Sequence, residues 1–202
     1  MSTDLERVRA HLHDHFAAAG IAAAPDIARV TFLGAEPIEV LRFGPGTDRM
    51  VHYVSVGCSR HPMADPSEIV TDRLRGPRAE VVLHLRVPGS DTGLARTLAM
   101  LAAAPAVEGV VLTADALIDL GEPLWTRQSA AVPFTAVLLG DSNIADLPLE
   151  PPRDPVHFVS ATPITATEAA WVRLKGAGAM REAWQADGVD VLDPNRRASQ
   201  PR

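Results

Sequence analysis

Apolar positions repeat with two different periods along this chain. Over residues 3–19, Leu5, Val8, Leu12 and Phe16 recur three or four residues apart. That spacing puts them on one stripe of a helix, which Thr3 or Ser2 can cap and Gly20 can stop. The period then changes to two. IARVTFL (27–33), PIEVLRF (37–43), MVHYVSV (50–56), AEVVLHLRV (79–87), FTAVLLG (134–140) and VHFVSAT (156–162) read as strands, and EGVVLTA (108–114) and VDVL (189–192) as shorter ones. GAE is a hairpin-length link between the first two. PGSDTG introduces a helix at about 92–104, with Leu94, Leu98 and Leu101 on its buried side. Thr165 and Glu168 have the spacing of a capping box, which opens a helix over 165–175. A second helix at 178–187 carries Met180 and Trp184, and Gly188 stops it. Residues 57–78 are rich in Pro, Gly, Asp and Arg and read as a long loop with one helical turn, while 115–132 follow neither period. Strands interspersed with helices predict one α+β domain, a mixed and largely antiparallel sheet with flanking helices.

Composition narrows the class. With 202 residues the chain suits a single domain, and aromatics at only 4% leave Ala, Val and Leu to fill the core. A formal net charge of −6 disfavours nucleic acid as a partner. Lys175 is the one lysine among 19 basic residues, a bias typical of GC-rich bacterial genomes. A lone cysteine, a charged N-terminus without a signal-peptide core, and no apolar run long enough to span a bilayer all predict a cytoplasmic protein. The tail DPNRRASQPR is polar and expected to fray, residues 198–202 above all.

Candidate chemistry centres on VHYVSVGCSRHP (51–62), where Cys58, Ser59, Arg60 and His61 are consecutive. Arg60 and His61 could activate a thiol, but no second cysteine is present to resolve an intermediate. The stretch reads more simply as a half-buried strand that ends at Gly57, with Cys58 a small residue packed at the turn. G-C-S-R-H lacks the second glycine of a nucleophile elbow. His11, His13 and His15 form H-x-H-x-H; His11 and His15 share a helix face as two metal ligands would, yet Leu12 stands where a zincin needs glutamate. Three histidines on the solvent side of a surface helix is the simpler expectation. Asp141, the carboxylate pairs Glu36/Glu39 and Asp115/Asp119, and the Arg73, Arg75 and Arg78 cluster have ready explanations as turns or solvated loops. No phosphate-binding loop occurs, so no cofactor, metal or catalytic residue is assigned.

Several of these pieces, in order, resemble the Suppressor of fused (SUFU-like) domain family: VHYVSVGCSRHPM, AEVVLHLR, LARTLAMLAAAP, PVHFVSATPITATEAAWVRLKGAGAMREAW and VDVLDPNRR. The family pattern is a strand ending in Gly-x-Ser, a Glu-led apolar strand and a late Pro-Ile/Leu-Thr-x-x-Glu helix start. The resemblance covers about residues 35–197, with 1–34 a helix and strand of the same domain. One departure is Arg60, where relatives often carry Asp. The resemblance implies a mixed α/β domain without known catalytic activity. In animals the namesake represses Hedgehog signalling by holding a transcription-factor peptide between this domain and a further C-terminal domain; the two-lobed clamp is not expected from this sequence. Bacterial members are linked by gene neighbourhood to polymorphic toxin systems, and many are proposed as immunity proteins that bind and neutralise a toxin.

The leading expectation is therefore a cytoplasmic bacterial protein-binding domain whose partner is a toxin, with Ser59, Arg60 and His61 as an exposed partner-binding rim. Two alternatives stand beside it. One is an enzyme using Cys58 with His61, or a metal held by the N-terminal histidines. The other is a structural module that self-associates through an exposed strand edge.

Overall fold

A computed structural model describes residues 3–64, 72, 74–86, 91–127 and 130–199. Helix α1 (Asp4–Ala18) starts at a reciprocal capping box: Glu6 N donates to Thr3 Oγ1 and Thr3 N donates to Glu6 Oε2. It buries Val8, Leu12 and Phe16. Strands β1 (Asp26–Val30), β2 (Ile38–Phe43), β3 (Met50–Val56) and β4 (Arg78–Arg86) follow as an antiparallel meander. A 3₁₀ turn, Cys58–Arg60, lies in the link from β3 to β4. After β5 (Asp91–Thr92) come helix α2 (Leu94–Glu108), β6 (Leu117–Asp119), β7 (Thr126–Arg127), β8 (Ala130–Ala131), β9 (Phe134–Asp141) and β10 (Val156–Thr165). Helices α3 (Ala166–Lys175) and α4 (Ala177–Ala186) close the order.

The large sheet runs β1-β2-β3-β4-β10-β9-β6, and β5-β7-β8 form a small one. Among the described pairs, β10 is parallel to β4 and the rest are antiparallel. The predicted mixed, largely antiparallel sheet with flanking helices is thus what forms.

Helices cover both faces of that sheet. On one face α2 packs Leu94, Leu98 and Leu101 against Val40, Val51, Val81 and Leu85. On the other, α1 packs against Leu41, Phe43, Val54 and Phe158, while α3 and α4 pack on Ala136, Leu138 and Ile164. This double cover corrects the expectation that 51–56 would be half-buried: Val51 and Val54, which point to opposite faces, are both fully buried.

Other elements differ locally from expectation. Helix α2 runs past Pro105 to Gly109, whose φ of 70° ends it; near the C-terminus the proline costs little more than one helical hydrogen bond. Residues 109–113 then form no strand. VDVL forms a turn instead of an edge strand, because Asp190 Oδ1 accepts from Leu192 N and diverts the backbone from a ladder. β1 stops at Val30, short of Phe32 and Leu33. Much of the PGSDTG cap and Arg73 lie outside the described residues. No described helix is long and apolar enough to cross a membrane.

Candidate partner-binding groove

Strand β4 carries Arg78 and Glu80 two residues apart, so both side chains leave the same face of the sheet. Both are buried, and both grip the turn that follows β3. Glu80 accepts from Gly57 N (2.8 Å), Cys58 N (3.3 Å) and Ser59 N (3.1 Å), and from the hydroxyls of Ser59 (2.6 Å) and Ser55 (2.5 Å). Gly57 has a φ of 135°, and a Cβ there would lie 3.1 Å from Ile38, so glycine is what lets three successive amides converge on one carboxylate. Arg78 donates from Nη1 to the carbonyls of Ser59 (2.9 Å) and Arg60 (3.0 Å), the opposite pole of the same turn. Burial pushes the Glu80 carboxyl above its ordinary value despite these donors.

The turn delivers its next residues to a groove of about 390 Å³ between the β1–β2 link, the turn and the C-terminal end of α2. Its floor includes Ile38, Ala102 and Ala103, and Leu33 and Val107 stand on its rim, 106% and 62% exposed. At one end Glu36 Oε2 takes His61 Nε2 at 2.8 Å and lies 3.4 Å from Arg60 Nη1. The bond to His61, seconded by the Arg60 charge, holds the Glu36 carboxyl below its ordinary value.

The four residues singled out by sequence therefore divide. His61 is exposed and Arg60 is partly covered, both on the groove. Ser59, expected on the exposed rim, is instead buried at 2%, because its amide and hydroxyl are committed to Glu80. Cys58 lines the groove half-buried; desolvation, with the Glu80 charge beside it, pushes its thiol well up, the reverse of what a nucleophile requires.

The N-terminal histidines also part company. His13 is exposed, but His11 and His15 are half-buried rather than on the solvent side. His11 Nε2 reaches Ala145 O at 2.7 Å and its ring stacks on Phe158. Among the described residues, no three His, Cys, Asp or Glu side chains are placed to hold a metal ion. Arg78, expected on a solvated loop, is buried for the reason given above.

A second buried carboxylate lies across the molecule. Glu168 of the capping box accepts from Thr165 N (2.9 Å), Trp184 Nε1 (3.0 Å) and Ser199 N (3.1 Å). It also takes both Nη atoms of Arg196 at 2.6 and 3.0 Å. Arg196 lies over the rings of Phe134 and Trp184. The described part of the tail is thus pinned, not frayed: Arg196 and Ser199 are 7% and 4% exposed. Sequence reading missed Glu80 and Arg196 as partners. A charged residue inside an unbroken apolar strand was the available signal for the first.

The motifs that carry the family resemblance are these two sites: Gly57-Cys58-Ser59 with Glu80, and Thr165 to Glu168 with Arg196. A family model for the Suppressor of fused protein (SUFU) matches residues 34–197. No individual curated protein matches the sequence. Solved structures that share the fold include the following three. A SUFU homologue of Neisseria gonorrhoeae has a TM-score of 0.66 at 20% identity, covering 96% of both chains. The Sufu–Fu complex has a TM-score of 0.64 at 15% identity over 96% of this chain and 91% of that one. Drosophila Suppressor of Fused has a TM-score of 0.61 at 16% identity, and there the match covers 95% of this chain but half of the other. The chain belongs to the Suppressor of fused family.

Proposed function

We propose that this chain is a non-enzymatic protein-binding domain, and that its partner docks at the groove beside Arg60 and His61, with Ser59 holding the turn that presents them. The observation that carries this reading is the rim: Leu33 and Val107 are left uncovered beside a hollow and next to the Glu36, Arg60 and His61 charges. Exposed apolar side chains rimmed by polar groups mark interaction sites. The family is one of non-enzymatic regulators, and a relative of the same fold was solved as a Sufu–Fu complex, which favours a protein as the partner class.

The finer reading is an immunity protein in a bacterial cytoplasm that neutralises a toxin by direct binding. The net charge of −6 favours encounter with a basic partner. Co-expression with a toxin encoded beside the gene tests it: protection and a stable complex are expected, and absence of both removes the immunity reading. Replacing Arg60 and His61 together is expected to weaken that complex; unchanged affinity excludes them from the interface. The enzymatic alternative fares worse, because burial, with the Glu80 charge beside it, pushes the Cys58 thiol up, the reverse of what a nucleophile requires.

A further inference from the structure

On the face of the sheet that α1 covers, Phe43, His52 and His84 stand opposite one another on three neighbouring strands. Two positions away on those strands, Leu41, Val54 and Val82 are apolar and buried. Two imidazoles thus take places in an otherwise apolar wall, and His52 Nδ1 lies 2.6 Å from His84 Nδ1. The last turn of α1 closes over the pair: Phe16 stacks on Phe43, and its ring centroid is 5.0 Å from that of His52. His15, His52 and His84 line one cavity of about 180 Å³, together with Gly46, Asp48 and Asn143.

Facing nitrogens at that distance need one donor and one acceptor, so the pair holds a single proton between its rings. A neutral pair satisfies this, and so does a pair with one positive charge. A second charge sets two N–H groups against each other and breaks the contact. Asp48 is the one acid on the cavity, and it already accepts from Met50 N at 2.9 Å. Around it, His11 acts on His15 along α1, Arg86 beyond His84 is paired with Asp190, and Asn143 brings no charge.

We propose that His15, His52 and His84 form an acid-operated latch, which holds the last turn of α1 and the turn at 44–49 on the sheet at neutral pH and releases them in acid, uncovering Phe16 and Phe43. Burial holds all three imidazoles below their ordinary value, His84 at about 4, and Asp48 opposes it at His52. The closed latch therefore binds fewer protons than the open one. Its contribution is whole above the ordinary histidine value of 6.5 and is lost as pH falls toward the folded values. The latch does not depend on the partner-binding reading.

Hydrogen exchange of the full chain, expressed as protection factors so that the intrinsic pH dependence cancels, tests this between about pH 7 and pH 5. Glu39, which holds α1 through Arg9, keeps its charge over that range: against burial, which raises it, the bonds from Arg9 and Arg29 hold its carboxyl below the ordinary value. The second half of α1 is expected to lose protection relative to α3, by roughly tenfold per pH unit for each proton the open latch takes up. His52→Phe with His84→Leu completes the apolar wall and removes both charges, and α1 is then expected to keep its protection in acid. His84→Gln alone keeps a polar side chain that cannot charge, and should abolish the loss in part. A native α1 that loses no more protection than α3 overturns the proposal. So does a loss that persists undiminished in both variants, which would assign it to the carboxylates that hold the helix elsewhere.

Discussion

Glu80 and Glu168 are both wholly buried carboxylates, yet they are satisfied in different ways. Glu80 is held by dipoles: three backbone amides and two serine hydroxyls, none of them charged. Glu168 is held by a full counter-charge, the bidentate Arg196, besides its amide and indole donors. The two carboxyls are displaced in opposite directions. Burial wins at Glu80 and pushes it up, whereas at Glu168 the Arg196 bonds and the other donors outweigh burial and hold it down. A dipolar cage shapes a turn; an ion pair fastens distant segments. Glu80 accordingly sets the shape of the groove rim, and Glu168 docks the 193–199 segment onto α3 and α4.

Breaking the ion pair should have the largest effect. Glu168→Ala leaves the Arg196 guanidinium buried without its partner, and a loss of about 3–5 kcal/mol in unfolding free energy is expected in urea titration. Replacing both by apolar residues, Glu168→Leu with Arg196→Met, should cost less than the single change. A double variant as weak as Glu168→Ala would mean that the buried charge is not what the single change exposes.

Glu80→Gln comes next. It keeps the volume but turns an amide donor into a cage in which three of the five groups are backbone amides that cannot accept, with an expected loss of about 2 kcal/mol. The same variant should loosen amide protection at 57–61 more than anywhere in α3 or α4, as hydrogen exchange would read.

Acid titration sharpens the contrast by sign. Glu80, raised, holds its proton more firmly when folded, so its contribution is present in acid and lost as pH rises through its folded value. Glu168, lowered, contributes at neutral pH, and that contribution is lost as pH falls through its folded value. On acidification the stability gap between the native chain and Glu80→Gln should widen, and the gap to Glu168→Gln should narrow. Gaps moving together would break the comparison. They must be read as differences, because His84, pushed down to about 4 mainly by desolvation, withdraws stability from both variants as pH falls from 6.5 toward that value.

The smallest expected change is Ser59→Ala, about 1 kcal/mol, since the Ser59 amide still reaches Glu80. A loss as large as that of Glu80→Gln would show that the hydroxyl, not the amide array, holds the turn.

What could be read from the sequence was what is local. The box at Thr165 and Glu168, the stripe of α1 and the bounds of β3 depend on residues a few positions apart, and each forms as its spacing requires. The partners of the same residues were not legible. Arg196 lies 28 positions from Glu168, and the donors to Glu80 lie 21–25 positions away and are mostly backbone amides, which no residue type announces. The exposed rim failed at Ser59 for that reason. The helical covers on both faces of β3 likewise come from distant parts of the chain, so alternation alone could not reveal that both sides are dry.

The parallel pairing of β4 with β10 has a consequence for how the chain assembles. It joins residues 78–82 to 156–160, while β1 to β4 are neighbours both in sequence and in the sheet. The meander has shorter loops to close, the longest of them residues 57–77, and the parallel seam has a far longer one. During synthesis the first four strands can meet while the second half is still being made. They then present an open edge at β4 until β10 emerges, and that waiting edge is the stage at which this chain is most exposed to wrong pairing.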